Sequence, residues 1–239
     1  MDKPSISAHI SHQYNAELED IRSRVLAMGG LVEQQLANAL TALVESDIAM
    51  AELVLSTDYK VNAMEVAIDE ECTHIIARRQ PTASDLRLIM AVIKTITDLE
   101  RIGDEAERIG RMALQLSKVG TLKKQCMELE NMGAQVKKIL HDSLDAFARN
   151  DPQAALQVAR SDLQIDRQYE SIMRQLITFM MEDPRSIPRA LDVIWSARAL
   201  ERIGDRARNI CEYVIYLVKG KDVRHTSLEQ IEQETLRNQ

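Results

Sequence analysis

The chain is short of the residues that turn or staple a backbone. Of its 239 residues, 8 are glycine, 5 are proline and 8 are aromatic. Tight turns depend on glycine and proline, so a sandwich, a barrel or a series of short strands is not expected. Cys72, Cys126 and Cys211 are odd in number and far apart, which provides neither a disulfide framework nor a Cys-x-x-Cys metal pair. No apolar run approaches the roughly 18 residues of a membrane span. The longest clear one, Leu88 to Ile93, has six. The polar stretch Met1 to Gln13 lacks the apolar centre of a signal peptide, so a cytoplasmic location without direct membrane insertion is expected. Basic residues number 30 against 37 acidic ones, a net charge of −7. That balance argues against a nucleic-acid partner and against an anionic lipid surface.

What the chain does have is helical periodicity. Ile10, Tyr14, Leu18, Ile21, Val25, Met28, Val32, Leu36, Leu40 and Leu43 recur in steps of three and four, one side of a single helix. From residue 10 to 46 such a helix would run about 55 Å. Gly29-Gly30 in its middle reads as a bend or a close-packing point. Ser46-Asp47, Thr82 or Ser84, Thr121 and Asn150-Asp151-Pro152 supply helix starts. Gln80-Pro81, Gly120, Asp183-Pro184 and Gly220 supply stops, which makes six long helices.

These helices are duplicated. Ten residues between Met28 and Asp58 recur unchanged 104 positions later, between Met132 and Asp162. Leu99-Glu100-Arg101-Ile102-Gly103-Asp104 recurs 101 positions later as Leu200-Glu201-Arg202-Ile203-Gly204-Asp205. The predicted architecture is all-α, a tandem repeat of two three-helix bundles at residues 8–119 and 120–220, with a polar tail at 221–239.

The repeat concentrates acids. Glu100 and Asp104 lie about 40° apart around one helix, with Glu107 on the same face, and Asp58, Asn62, Glu65 and Asp69 fall within about 60° on the helix before it. The second unit keeps the outline with Asp162 and Asp166, then Glu201 and Asp205. Two readings compete. In one, facing acidic stripes hold a divalent cation; oxygen-only ligands favour Mg²⁺, Mn²⁺, Fe or Ca²⁺ over Zn²⁺. In the other, Arg101, Arg108, Arg202 and Arg208 neutralise the acids as ion pairs.

The two copies also differ. Tyr169 and Arg208 stand where the first unit has Glu65 and Glu107, so the first site is expected to bind cations more strongly, with Arg208 partly replacing a metal in the second. Gly103 and Gly204, each costing about 1 kcal/mol in a helix interior, predict a close helix crossing beneath the acids. His9, His12, His74, His141 and His225 share no ligand spacing. There is no phosphate-binding loop, no Gly-x-Ser-x-Gly and no His-Glu-x-x-His, and an enzyme is not expected.

At this level of detail the chain resembles the PhoU family of phosphate-transport accessory proteins. The likeness rests on the two copies of Glu-Arg-Ile-Gly-Asp, on Asn62-Ala63-Met64-Glu65, on the stretch from Arg79-Gln80-Pro81-Thr82 to Arg87, and on His141-Asp142-Ser143-Leu144. It runs from about residue 5 to 225, which is nearly all of the chain. The resemblance implies a non-enzymatic cytoplasmic homodimer that associates with the phosphate ABC transporter through its ATPase subunit, and with the phosphate-sensing histidine kinase. It implies restraint of the phosphate-starvation response when phosphate is plentiful. It also implies divalent-metal sites at Glu100 with Asp104 facing Asp58 with Asn62, and at Glu201 with Asp205 facing Asp162 with Asp166. Asn62 departs in charge, since it offers a carbonyl oxygen only. A metal store or metal-dependent catalyst built on the same bundle is the rival reading.

Overall fold

A computed structural model describes residues 6–119, 123–224, 226 and 230, with side chains from 12 to 118 and from 127 to 224. The expected turn at Gly120-Thr121, the side chains of His9 and Cys126, His225 and most of the tail lie outside the described residues. All regular structure among the described residues is helical: α1 (Ile6–Glu45), α2 (Ile48–Thr57), α3 (Tyr59–Arg79), α4 (Ala83–Val119), α5 (Lys123–Arg149), α6 (Pro152–Glu182) and α7 (Ile187–Lys219). A short 3-10 turn, Pro184–Ser186, joins the last two.

The corner after the first helix of each unit is built the same way. Ser46 and Asn150 take left-handed backbone angles, and the next residue, Asp47 or Asp151, caps the following helix. Asp47 accepts from the Met50 amide at 3.0 Å, and Asp151 from Gln153 and Ala154 at 2.9 and 3.0 Å. The six expected long helices are present, the second of them interrupted rather than continuous. It breaks at Asp58 into α2 and α3. The Thr57 hydroxyl donates to the Leu53 carbonyl at 2.7 Å, which competes with the backbone ladder and bends it. The Asp58 carbonyl then accepts from Val61, three residues on, at 2.9 Å. In the second unit the matching helix α6 runs unbroken through Asp162.

The apolar stripe of α1 from Leu18 to Leu43 is buried, and it joins one continuous core drawn from both units and including Val223 of the expected tail. Between the units α4 packs on α7 and α1 on α5. The second seam shows why the repeat keeps its glycines. A Cβ on Gly29 would lie 2.8 Å from Leu144 Cδ1, and one on Gly133 would overlap the methyls of Leu40. Gly29 and Leu40 correspond to Gly133 and Leu144 in the repeat, so the contact is reciprocal, as across a two-fold axis. A Cβ on Gly30 would meet nothing within 4 Å beyond its own helix, so of the pair only Gly29 is a packing point.

The α4–α7 seam is polar at its centre. Asp98, 2% exposed, accepts from Tyr213 Oη at 2.7 Å, Arg206 Nη1 at 3.3 Å and Asn209 Nδ2 at 3.5 Å. Glu105 pairs with Arg202 at 3.0 Å and Arg108 at 3.1 Å. Lys94 lies over the Tyr213 and Tyr216 rings.

Two substitutions test this packing by chemical denaturation. Gly133→Leu forces side-chain bulk onto Leu40 and is expected to cost about 1–3 kcal/mol. Gly30→Ala, exposed and unobstructed, is expected to gain about 1 kcal/mol. Equal effects of the two would contradict the seam.

Candidate metal centre

Where α3 crosses α4, the absence of a side chain at Gly103 lets the helices close. A Cβ there would lie 3.3 Å from Gln35 Oε1, 3.4 Å from Asp58 Oδ1 and 3.4 Å from Val61 Cγ1. Asp58 is 8% exposed in that crossing. It accepts from Gln35 Nε2 at 2.8 Å and from Asn62 Nδ2 at 3.2 Å. Neither donor is a cation. Carboxylate oxygens of Asp58, Asp104 and Glu107 lie within 4.8 Å of one another. Two buried amide oxygens, Gln35 Oε1 and Asn62 Oδ1, have no partner among the described residues. A buried acceptor with no donor carries a desolvation penalty that a bound cation would remove. The donor set is oxygen only, the set a hard divalent ion selects.

The acids press on one another. Burial, then the Asp104 charge, raises the Glu100 carboxyl above its ordinary range, with Glu65 and Asp58 adding to it. Asp104 is raised by burial and by Asp58. Glu107 is raised by burial despite its 2.6 Å pair with Arg111. Glu65 is raised by burial too, with Asp69 and Asp104 contributing. Of the four arginines read as alternative counter-ions, Arg108 and Arg202 both pair with Glu105, Arg101 acts through its charge on Glu65 and Glu100, and Arg208 pairs with Asp162.

The second cluster occupies the same place between α6 and α7. A Cβ on Gly204 would lie 2.7 Å from Asp162 Oδ1. Asp162 is 1% exposed, and burial pushes its carboxyl up to about 7 even with Arg208 Nη1 at 3.3 Å from Oδ2. Asp205, Asp166 and Glu201 add to that rise. Asp166 and Glu201 are raised as well, burial first, while Arg198 pairs with Glu201 at 2.6 Å. Both glycine crossings expected beneath the acids are therefore present.

The eight predicted ligands fall into two groups. Asp58, Asn62, Asp104 and, at the margin, Glu100 share the first crossing; Asp162, Asp166, Glu201 and Asp205 share the second, together with arginine. Reading the sequence missed Gln35. Its signal is a polar residue inside the buried stripe of α1, 4% exposed, where the repeat has Ile139. Asp98 had no comparable signal, because its partners lie more than a hundred residues away on α7.

Fold and site define a class: a duplicated three-helix bundle whose second and third helices cross on glycine beneath a seam of carboxylates. A family model described as the PhoU domain matches residues 25–113 and 129–214. The phosphate-specific transport system accessory protein PhoU homolog of Pseudomonas aeruginosa is 52% identical over 238 residues, covering 100% of this chain and 98% of that protein. PhoU of Escherichia coli is 51% identical over 233 residues, 97% of this chain and 96% of that one. The crystal structure of PhoU from P. aeruginosa superposes with a TM-score of 0.85 at 54% identity, covering 87% of this chain and 100% of that one. The phosphate transport system regulatory protein PhoU of Streptococcus pneumoniae gives 0.82 at 33% identity, over 88% of this chain and 99% of that one. The chain belongs to the PhoU family.

Raised carboxyl pKa values set a pH dependence. The folded state binds protons more tightly than the unfolded chain, so this stabilisation is present below the ordinary carboxylate range and is lost as pH rises through the raised values, up to about 7 for Asp162. Glu17, Asp183 and Asp222 are held low by Arg79, Arg185 and Arg224, so their contribution varies only at more acidic pH. Without divalent cations, the melting temperature is expected to fall between about pH 5 and about pH 7.5, and Mn²⁺ is expected to flatten the fall. A melting temperature that climbs over that interval in chelator would contradict the site.

Proposed function

We propose that the protein is a non-catalytic accessory protein of phosphate-specific transport, a negative regulator of the phosphate-starvation response. It acts in the cytoplasm as a homodimer that bridges the ATPase subunit of the phosphate ABC transporter and the phosphate-sensing histidine kinase. The observation that carries this reading is likeness over essentially the whole chain to proteins named as accessory to that transport system. No helix among the described residues is long and apolar enough to cross a membrane, so contact with a membrane-bound transporter runs through protein surfaces.

The first acidic crossing would hold a divalent cation, Mg²⁺, Mn²⁺ or Fe, on Asp58, Asp104 and Glu107, with Glu100 and the amide oxygens of Gln35 and Asn62 in reach. A bound ion there would cross-link α3 to α4 and neutralise a seam of like charges. A store or a metal-dependent catalyst is less well supported. The groove between α1 and α5, lined by Glu33, Leu36, Lys137 and His141, includes none of these acids.

An adaptor must bind unequally to two states of its partners, or it changes nothing. Capture of the kinase and of the transporter ATPase by the tagged protein, from cells held at high and at low phosphate, tests this directly. Stronger capture in one phosphate state is expected. Equal, strong capture in both states would sink the adaptor reading.

A further inference from the structure

The second acidic cluster already contains a cation, although Asp162 Oδ1 and Glu201 Oε2, like Gln35 Oε1 and Asn62 Oδ1 in the first, have no partner among the described residues. Arg208 stands at the repeat position of Glu107, and Glu212 at that of Arg111. The four-residue ion pair on α7 therefore has the opposite polarity to the one on α4. On α4 the acid of the pair, Glu107, faces Asp58 and Asp104; on α7 the base, Arg208, faces Asp162. Three neighbouring donors change in the same direction, while Asp166 in place of Asn62 changes in the other. Ile139 replaces Gln35, Tyr169 replaces Glu65, and Arg198 replaces Thr97, pairing with Glu201 and lying over the Tyr169 ring.

A guanidinium does not deprotonate in a folded protein, so this charge cannot be discharged to admit another. Its place is fixed by ion pairs at both ends rather than by enclosure, the side chain being 37% exposed. Asp162 is wedged against Gly204 on one side, and Arg208 reaches Asp162 on the other and lies 3.7 Å from Glu212.

We infer that Arg208 is a permanent internal counter-ion that keeps divalent cations out of the second cluster, so that each chain has one cation site, at the α3–α4 crossing. The single site rests on the cation reading of the first unit; the role of Arg208 does not. Only the first unit then changes with cation supply, while the α6–α7 crossing stays locked under all ionic conditions.

Native mass spectrometry of the full chain in Mn²⁺, with wild type, Asp104→Asn, Arg208→Glu and Arg208→Gln compared, separates these claims. Expected counts are one ion in wild type, none in Asp104→Asn and two in Arg208→Glu. Arg208→Gln removes the charge without adding an acid beside Asp162, and is expected to tighten a second ion by more than about a hundredfold. Circular dichroism confirms that each variant is folded. Two ions of similar affinity in wild type would overturn the inference, as would an unchanged count in both Arg208 variants. No ion in wild type but one in Arg208→Glu would sink the first-unit site and still support the role of Arg208.

Discussion

Carboxylates lodged where two helices nearly touch are the constraint from which the rest of this structure follows. Gly103 and Gly204 carry no side chain, so α3 can close on α4 and α6 on α7 until Asp58 and Asp162 are pressed between them. A buried carboxylate without a counter-charge is costly, and removing the glycine would only push the helices apart. Each crossing must therefore offset that cost, by a counter-charge, by hydrogen-bond donors or by a held proton. In one copy Arg208 supplies a positive charge covalently; in the other Asp58 meets the amides of Gln35 and Asn62 and the carboxylates of Asp104 and Glu107.

That difference sits on a scaffold that is otherwise close to symmetric. The reciprocal fit of Gly29 to Leu144 and Gly133 to Leu40 requires both units to keep the same helix spacing, whichever solution each adopts for its acids. The α4–α7 seam breaks the symmetry again. Asp98, with Arg206, Asn209 and Tyr213 around it, has Ala199 as its counterpart. Burial raises the Asp98 carboxyl while Tyr213 and Arg206 hold it down, so its charge depends on contacts from the other unit. Helix α4 thus carries Asp104 and Glu107 on one face and the clamp to the second unit on another.

Much of this could be read from residue order, and the limits have physical causes. Helix extents and corners follow from local rules: periodic apolar residues, Asp caps and left-handed Asn or Ser act within a few residues of one another. Duplication exposed the acids, because an identical hexapeptide at matched places is hard to attribute to surface chance. The break at Asp58 was not legible, since Thr57 back-bonding is a local competition that residue types alone do not decide. Gln35 was hidden for another reason. A single glutamine in an apolar stripe has no partner in sequence, and only the crossing of α1 with α3 brings it to Asp58. Pairings across the two units, such as Glu105 with Arg202, depend on how α4 meets α7, which no helical period encodes.

Duplication followed by divergence at one acidic position has a mechanical consequence. Had both crossings kept acids alone, cation loss would loosen both units together and the molecule would respond as a whole. If Arg208 keeps cations out of the α6–α7 crossing, that crossing becomes a fixed reference, and a change on cation binding would be a motion of α3 and α4 against it. Because α4 is also the helix that grips α7, such a motion would be read at the seam through Asp98 and Glu105. A ligand shifts a conformational equilibrium only by its difference in affinity for the two states. An arrangement with one variable crossing and one locked crossing gives the two states a single coordinate along which to differ, and a partner spanning both units could sense that coordinate without touching the ion.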